Sequence, residues 1–401
     1  MSRSRIRFLF LNLGHTYDHL FMLLFATVVL ALEDELGGSY GELLALAIPG
    51  FIAFAAGTLP AGWLGDRWSR TGMMALFVLG VGAASVLTGL ARSRLEIAAG
   101  LTLIGLFASI YHPVGIAMVV EGRAKVGRLL GINGVFGNIG VAAAALVAGW
   151  LTDLVSWRAA FIVPGLVALA TGLAYIAFIA YGRSPAPGRP VSARPRAAAR
   201  RGPLYVRVFV VIGVATLFGG LIFNIATVAL PKMLDERLIR MALSTREIGS
   251  LAALIYGAAA LAQVVVGVLI DRFPIKPVFV ILVFAQVPVM VLAAGAHDTA
   301  MVVLSLVMLV LIFGEIPIHD TLVARYTVEA WRSRVYAVKY VISFGVSALG
   351  VPLIATLHGT SGGFAWLLLA MAGFALIIGI AALALPGARR AAPGSVPAGP
   401  P

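Results

Sequence analysis

Residues 39–67 read SYGELLALAIPGFIAFAAGTLPAGWLGDR, and residues 244–272 follow the same plan as STREIGSLAALIYGAAALAQVVVGVLIDR. Both segments begin with Ser-x-x-Glu, a capping box at a helix N-terminus, and both end with Gly-x-Leu-x-Asp-Arg. About 20 mostly apolar residues lie between these ends, enough for a helix across the roughly 30 Å hydrocarbon core of a bilayer. A duplicated membrane-spanning unit is typical of transporters built from internal repeats, so the repeat indicates movement of a solute.

The composition is that of a membrane protein. Hydrophobic residues make up 61% of the 401 positions and charged residues 12%, and the mean hydropathy is +1.00. A soluble chain of this size could not cover so much apolar surface, which excludes a soluble fold. The sequence contains no cysteine, which excludes disulfides and cysteine-based metal or thiol chemistry.

Apolar runs between turn signals predict an all-α membrane protein with twelve transmembrane helices. The predicted spans are approximately 8–32, 41–63, 73–92, 95–119, 129–153, 159–181, 206–231, 246–270, 277–296, 299–323, 335–358 and 363–386. The first span is too long for a signal-peptide core and is expected to be retained. The spans form two pseudo-symmetric six-helix bundles, at 1–181 and 206–386. Residues 182–205 are predicted to be a flexible, basic cytoplasmic linker and residues 387–401 a disordered cytoplasmic tail.

The positive charges predict the orientation of the chain in the membrane. Most lysines and arginines lie in connections on the side of both termini and the central linker, whereas acidic runs such as residues 33–35 lie on the other side. The positive-inside rule therefore places both termini in the cytoplasm, with the protein in the cell (inner) membrane. Because the cations lie in short loops between apolar spans, the net charge of +13 predicts contact with the lipid bilayer and no binding of nucleic acid.

Short motifs connect the chain to a known family. Residues 62–70 (GWLGDRWSR) resemble motif A of the major facilitator superfamily, and residues 267–276 (GVLIDRFPIK) are similar to its second-half copy. Residues 15–18 (HTYD) and 111–113 (YHP) look like motifs of the fosmidomycin-resistance-type efflux branch. The resemblance covers essentially the whole chain.

The resemblance implies a monomeric transporter, not an enzyme, that needs no cofactor or bound metal and works by rocking two halves about a central site. In that family the motif A aspartate helps to close the cytoplasmic side. A gating role is therefore implied for residues of both motif copies: Gly62, Asp66, Arg67, Arg70, Asp271 and Arg272. The alternative is that Asp66 and Arg67 form a loop turn whose charge only sets the topology.

Few ionisable residues are predicted to lie at membrane depth. The acids are Asp18, Glu315 and Asp320, and the one cation is Lys339, about one turn inside the eleventh span. A charge near the middle of a membrane costs roughly 2.5–3.5 kcal/mol on insertion scales, so such residues usually face a cavity and have a role. Asp320 is expected to be a water-exposed gate residue or part of a salt bridge.

Spacing along the helices predicts proton coupling. His15, Asp18 and His19 share one face of the first helix, and Glu315 and His319 share one face of the tenth. A histidine beside a carboxylate can pass protons near neutral pH. We predict that Asp18 and Glu315 carry protons and that the three histidines tune them.

Further polar residues are candidates for contact with the solute: His112, Tyr17, Asn224, Asn133 and Lys339. Three of them also have a structural interpretation. His112 could bind the backbone carbonyl that Pro113 leaves free, Asn133 could serve helix packing, and Lys339 could extend to the membrane rim.

The sequence thus predicts a proton-coupled secondary transporter that exports a small organic compound, with anions among the candidates. Three alternatives stay open. The first is import of an organic anion or nutrient by proton symport. The second is transport of a divalent metal, which is disfavoured because the histidines and carboxylates are spread over three helices. The third is a membrane-embedded lipid enzyme, for which the sequence shows no catalytic motif.

Overall fold

The computed structural model describes residues 2–121, 127–181, 203–326, 329–360 and 362–386, which are almost entirely helical. Twelve long helices occur in these ranges: α1 (Arg3–Val28), α2 (Ile48–Leu64), α3 (Arg70–Gly89), α4 (Arg94–Ala108, continued by the π-helical turn Tyr111–Gly115 and by Ile116–Val120), α5 (Gly127–Leu154), α6 (Trp157–Ala180), α7 (Pro203–Arg237), α8 (Thr245–Arg272), α9 (Ile275–Ala294), α10 (Asp298–Tyr326), α11 (Glu329–His358) and α12 (Phe364–Leu383).

The count of membrane crossings agrees with the sequence prediction. Eleven stretches of helix in the described residues are long and apolar enough to cross a bilayer, and one of them, Tyr40–Gly89, has 50 residues. A helix of that length would measure about 75 Å, more than twice the hydrocarbon core. The stretch is divided at Ser69, whose backbone is extended (φ −167°, ψ 120°) and whose side chain caps α3 at the Gly72 amide. It therefore contains two crossings, and the prediction of twelve helices is confirmed.

Both predicted capping boxes are present. The Ser39 side chain accepts a hydrogen bond from the Glu42 amide at 3.3 Å, and the Glu42 carboxylate accepts one from the Ser39 amide at 2.9 Å. Ser244 and Glu247 form the same pair of bonds at the start of α8. The first box caps only the single turn Tyr40–Leu44, which a short 3-10 turn separates from α2. The prediction of an uninterrupted helix is therefore right only for the second box.

Several helices are longer than their predicted spans. The helix α7 begins at Pro203, so the predicted linker ends three residues too late, and residues 182–202 and 387–401 lie outside the described residues. The helix α11 begins at Glu329. Lys339 therefore lies nearly three turns from its start, not the one turn that the sequence predicted.

The same pairs of helices pack in both halves. The helix α1 packs on α5 as α7 packs on α11, α2 packs on α4 as α8 packs on α10, and α3 packs on α6 as α9 packs on α12. The sequence repeat is therefore also a repeat in packing, and the buried apolar side chains of both halves belong to one hydrophobic cluster.

The two halves meet along α5 with α8 and along α2 with α11. Glycines allow this approach. A Cβ atom added to Gly249 would lie 2.3 Å from the carbonyl oxygen of Ala145 and 2.9 Å from the Cα of Gly149. A Cβ atom on Gly41 would lie 3.0 Å from the carbonyl oxygen of Ala355. Small residues are common where membrane helices pack closely, because they let backbones approach.

We expect Gly249→Ala to weaken the contact between the halves. The added methyl group meets backbone atoms that cannot rotate away, and overpacking of this kind costs on the order of 1–3 kcal/mol. Gly257→Ala on the same helix is the matched control, because a Cβ there has no heavy atom within 4 Å. Thermal unfolding in detergent should show a lower midpoint for Gly249→Ala alone. Equal midpoints for the two variants would contradict the prediction.

Candidate transport site in two buried polar clusters

A carboxyl–histidine pair lies inside the N-terminal half. Asp18 of α1 is only 1% exposed, and its Oδ2 atom lies 3.1 Å from Nε2 of His112. His112 belongs to the π-helical turn of α4, a distortion that is frequent at functional sites. The predicted membrane-depth carboxylate of this half therefore has a histidine from another helix as its partner.

Three histidine side chains converge beside this pair. The ring centroid of His15 lies 5.1 Å from that of His19 and 5.3 Å from that of His112, and the rings of His19 and His112 are 5.7 Å apart. His15 and His112 are buried, whereas His19 is partly exposed. The polar face predicted for α1 is thus present, and α4 adds His112 to the cluster.

A hydrogen-bonded network fixes the helices around these histidines. The Nδ1 atom of His15 lies 2.7 Å from the backbone oxygen of Asn133 on α5. The Asn133 amide donates to Oδ1 of Asn12 at 3.0 Å and lies within hydrogen-bonding distance of the Tyr111 hydroxyl. The Tyr111 hydroxyl also donates to the backbone oxygen of Leu11. These bonds favour the packing role for Asn133 over contact with a solute.

The second carboxyl–histidine pair lies inside the C-terminal half. Oε1 of Glu315 lies 2.9 Å from Nε2 of His319, one turn further along α10. The other carboxylate oxygen, Oε2, accepts a hydrogen bond of 2.9 Å from the side-chain amide of Gln286 on α9. Glu315 is 3% exposed and Gln286 is fully buried. The His319 ring packs edge-on against Phe279 of α9 at 5.6 Å.

The repeat places Tyr111 and Glu315 at equivalent positions. A Cβ atom added to Gly14 of α1 would lie 3.0 Å from the Tyr111 ring, and one added to Gly219 of α7 would lie 3.1 Å from Oε1 of Glu315. Both side chains therefore fill the gap beside a glycine of the first helix of their half. Glu315 is a carboxylate where the N-terminal half has a tyrosine.

The two carboxylates belong to separate sites. In the part of the chain that the structure describes, the polar partners of Glu315 are Gln286 and His319, both in the C-terminal half. Asp18 lies against His112 in the N-terminal half. Both acids are buried within protein and not turned toward lipid. The roles predicted for Asp18, His15 and His19 in proton coupling stay predictions.

Three of the predicted solute-contact residues have other neighbours. The Tyr17 hydroxyl shares a hydrogen bond of 2.8 Å with Thr171 on α6. Asn224 packs against α11, where a Cβ atom on Gly350 would lie 2.1 Å from its Oδ1 atom. Lys339 forms an ion pair with Asp320, joining α11 to α10. The expected salt bridge of Asp320 is thus present. The structure does not test contact of these three residues with a solute.

The first copy of motif A forms an ion-pair network within its own half. The Asp66 carboxylate accepts a hydrogen bond of 2.7 Å from Arg70, and Arg70 lies 3.5 Å from the Glu121 carboxylate at the end of α4. Glu121 also pairs with Arg7 at the start of α1. The Asp66 side chain remains 69% exposed. The network therefore joins α1, α3 and α4 and makes no described contact with the C-terminal half.

The other motif A residues have simpler surroundings. Gly62 allows α2 to approach α4, because a Cβ atom there would lie 3.2 Å from the Cβ of Pro113. The Arg67 guanidinium lies 5.4 Å from the centre of the exposed Trp63 ring. Asp271 and Arg272 are exposed at the end of α8.

At the opposite end of the bundle, charged residues join the two halves. Lys232 of α7 has a side chain that is only 8% exposed, and its ammonium group lies 2.5 Å from Glu33 of the N-terminal half. Within α7 the same group lies 3.2 Å from Asp235 and 3.8 Å from Glu236. Glu236 in turn lies 2.8 Å from Nε2 of His358 on α11. We call the end of the bundle that contains these ion pairs and the Arg246–Asp153 and Trp150–Ser250 contacts the closed face.

Two further contacts between the halves complete the closed face. Arg246 of α8 lies 3.6 Å from the Asp153 carboxylate of α5, and the Trp150 indole donates to the Ser250 hydroxyl at 2.9 Å. The sequence analysis missed this cluster, because a lysine beyond an apolar run was interpreted as a loop charge. The signal available was the spacing of Lys232 from two acids at i+3 and i+4.

Two duplicated six-helix bundles, with buried carboxylates and ion pairs between the halves at one face, have the architecture of a multi-pass membrane transporter. The chain belongs to the Major Facilitator Superfamily, whose sequence profile matches residues 13–238 and 212–400. It is therefore a transporter and not an enzyme, and the family prediction is confirmed.

Known proteins agree with this assignment. The chain is 29% identical over 161 residues to the "Tetracenomycin C resistance and export protein" of Streptomyces glaucescens, covering 39% of this chain and 30% of that protein. It is 29% identical over 166 residues to a "Probable 4-methylmuconolactone transporter" of Cupriavidus pinatubonensis, covering 39% of each. The chain thus matches well under half the length of these relatives. A solved D-xylose-proton symporter shares the fold with a TM-score of 0.75. The two chains are 15% identical, and the match covers 96% of this chain and 97% of that one.

Proposed function

We propose that the protein is a proton-coupled transporter that exports a small organic compound by alternating access. Glu315 is the observation that carries the proposal. It is a carboxylate inside α10, 3% exposed, whose described polar partners are one histidine and one uncharged amide. An acid at membrane depth without a fixed cation is costly and is typical of a proton relay. The neighbouring His319 is suited to pass that proton.

The arrangement of contacts between the halves supports alternating access. Ion pairs and close glycine contacts join the halves at the closed face, whereas the motif A network at the other end has its partners, among the described residues, within the N-terminal half. We propose that the closed face lies outside the cytoplasm and that the structure is an inward-facing state. The distribution of lysine and arginine supports this orientation, with both termini in the cytoplasm and the protein in the cell (inner) membrane.

The relatives suggest the class of cargo. One is named for tetracenomycin C resistance and export, and the other for transport of 4-methylmuconolactone. We propose a small organic compound, with lactones among the candidates, for this chain. His112 of α4 and Asn224 of α7, on helices that belong to different halves, remain the proposed solute contacts.

The function can be tested with purified protein in liposomes, with tetracenomycin C and 4-methylmuconolactone as probes and a trapped pH dye. For an exporter that exchanges cargo for protons, inside-out vesicles with an acidic interior should take up a probe and lose protons. Uptake only by right-side-out vesicles, with protons entering alongside the probe, would show import by symport. Probe movement without any proton flux would contradict the coupling.

A further inference from the structure

The three histidines of the N-terminal half have the geometry of a metal site. Each offers one ring nitrogen, and these nitrogens all lie within 4.8 Å of one another. The nitrogens of a tetrahedral zinc site lie about 3.4 Å apart, from Zn–N distances of about 2.0–2.1 Å. Side-chain rotations that draw the rings together by about 1.4 Å would close that difference. His15 and His19 stand at i and i+4, the spacing with which two histidines of one helix bind zinc.

The surroundings of the histidines also fit metal ligation. A histidine that binds a metal almost always presents its other ring nitrogen to a backbone carbonyl or a carboxylate. The Nδ1 atom of His15 lies 2.7 Å from the Asn133 carbonyl, which leaves Nε2 as the ligand atom. Nε2 of His112 lies 3.1 Å from the Asp18 carboxylate, which is an outer partner of this kind. Two of the three histidines thus have the outer partners that metal ligands use. These partners are an observation separate from the clustering of the three rings.

The position of the site provides charge and access. Asp18 is a nearly fully buried carboxylate beside three imidazoles, so it offsets part of the charge of a divalent cation. His19 is partly exposed, so the cluster is not sealed on every side by protein. Gly137 on α5 leaves space at His15, since a Cβ atom there would lie 2.7 Å from its Nε2.

We propose that His15, His19 and His112 bind a divalent transition-metal ion, with Asp18 as the outer partner of His112. Imidazole ligands suit Zn²⁺, Co²⁺, Ni²⁺ and Cu²⁺, whereas Mg²⁺ and Ca²⁺ prefer oxygen ligands. The sequence disfavoured a metal because its candidate ligands were spread over three helices. The structure gathers three of them from two helices of one half. His112 is shared with the proposed solute contacts, so the test below measures metal binding itself and not export.

The site can be tested by titrating Co²⁺ into the full chain, purified in detergent without a polyhistidine tag. Visible absorption bands should report nitrogen coordination of Co²⁺, and Zn²⁺ should displace it. His15→Gln, His19→Gln and His112→Gln should each weaken binding about tenfold or more, and Asp18→Asn by about 10–100-fold, as for other outer partners. The matched controls are His297→Gln and His358→Gln, which change histidines outside the cluster and should bind as the unmodified chain does.

A further variant separates ligand loss from unfolding. Gly137→Ala keeps every ligand but places a methyl group against His15, and it should reduce Co²⁺ binding while the protein still elutes as a single species from size exclusion. The proposal is overturned if no visible bands appear in the unmodified chain. It is also overturned if the bands persist in all three cluster variants, or disappear in the control variants instead.

Discussion

Glu315→Gln should remove accumulation of the cargo against its gradient, down to the level of empty liposomes. A glutamine has nearly the shape of glutamate and can still accept the hydrogen bond from Gln286, but it cannot bind and release a proton. Exchange of labelled for unlabelled cargo requires no net proton movement, so it should continue. The measurement is cargo uptake with and without an imposed pH gradient, beside exchange at equal pH.

The matched control for Glu315→Gln is Glu247→Gln. It removes a carboxylate from the same half by the same isosteric change, and a capping box accepts glutamine as well as glutamate. This variant should accumulate cargo normally. If Glu315→Gln also accumulates cargo normally, Glu315 is not the coupling residue, whatever else the protein transports.

The fold was predictable because its decisive features are local in the sequence. Ser39 and Ser244 open capping boxes that the structure retains, and long apolar runs leave a chain in lipid little choice but helix. The boundaries were less predictable. Apolarity ends where the bilayer ends, but a helix continues into water as long as its own hydrogen bonds allow, as α11 does by starting at Glu329.

The candidate site was predictable only in part. Helical spacing placed His15, Asp18 and His19 on one face and Glu315 beside His319. The partners from other helices depended on the packing of the bundle. His112 contacts Asp18 from a π-helical turn that the hydrophobic periodicity does not predict. Gln286, the amide partner of Glu315, comes from α9.

The closed face was missed for a related reason. Lys232 lies at the end of an apolar run, where sequence rules assign a cation to a loop that sets topology. In the structure α7 continues past it to Arg237, and the halves close over its ammonium group. Whether a terminal lysine is buried depends on the other half of the protein, and the sequence of one helix does not contain that information.

Lys232→Met should open the closed face. The substitution removes the Lys232 ammonium group and leaves three carboxylates close together without a cation between them: Glu33, Asp235 and Glu236. Breaking a fully buried pair costs about 3–5 kcal/mol. Because these acids remain partly exposed, we expect roughly 1–3 kcal/mol here, which shifts the equilibrium between open and closed states about 5- to 150-fold.

The absence of natural cysteine makes this shift measurable by labelling a single introduced cysteine. Ala26 is 5% exposed and lines the packed contact between the halves just inside Lys232. With Ala26→Cys, an impermeant maleimide added at the closed face should react slowly in the otherwise unmodified chain and much faster when Lys232→Met is added.

Val155→Cys, 70% exposed at the α5–α6 connection, should react fast in both backgrounds and reports reagent access. Arg240→Met removes a cation whose described partner, Asp298, lies in the same half, so it should leave labelling of Ala26→Cys slow. If Lys232→Met leaves it slow as well, the lysine does not hold the halves together.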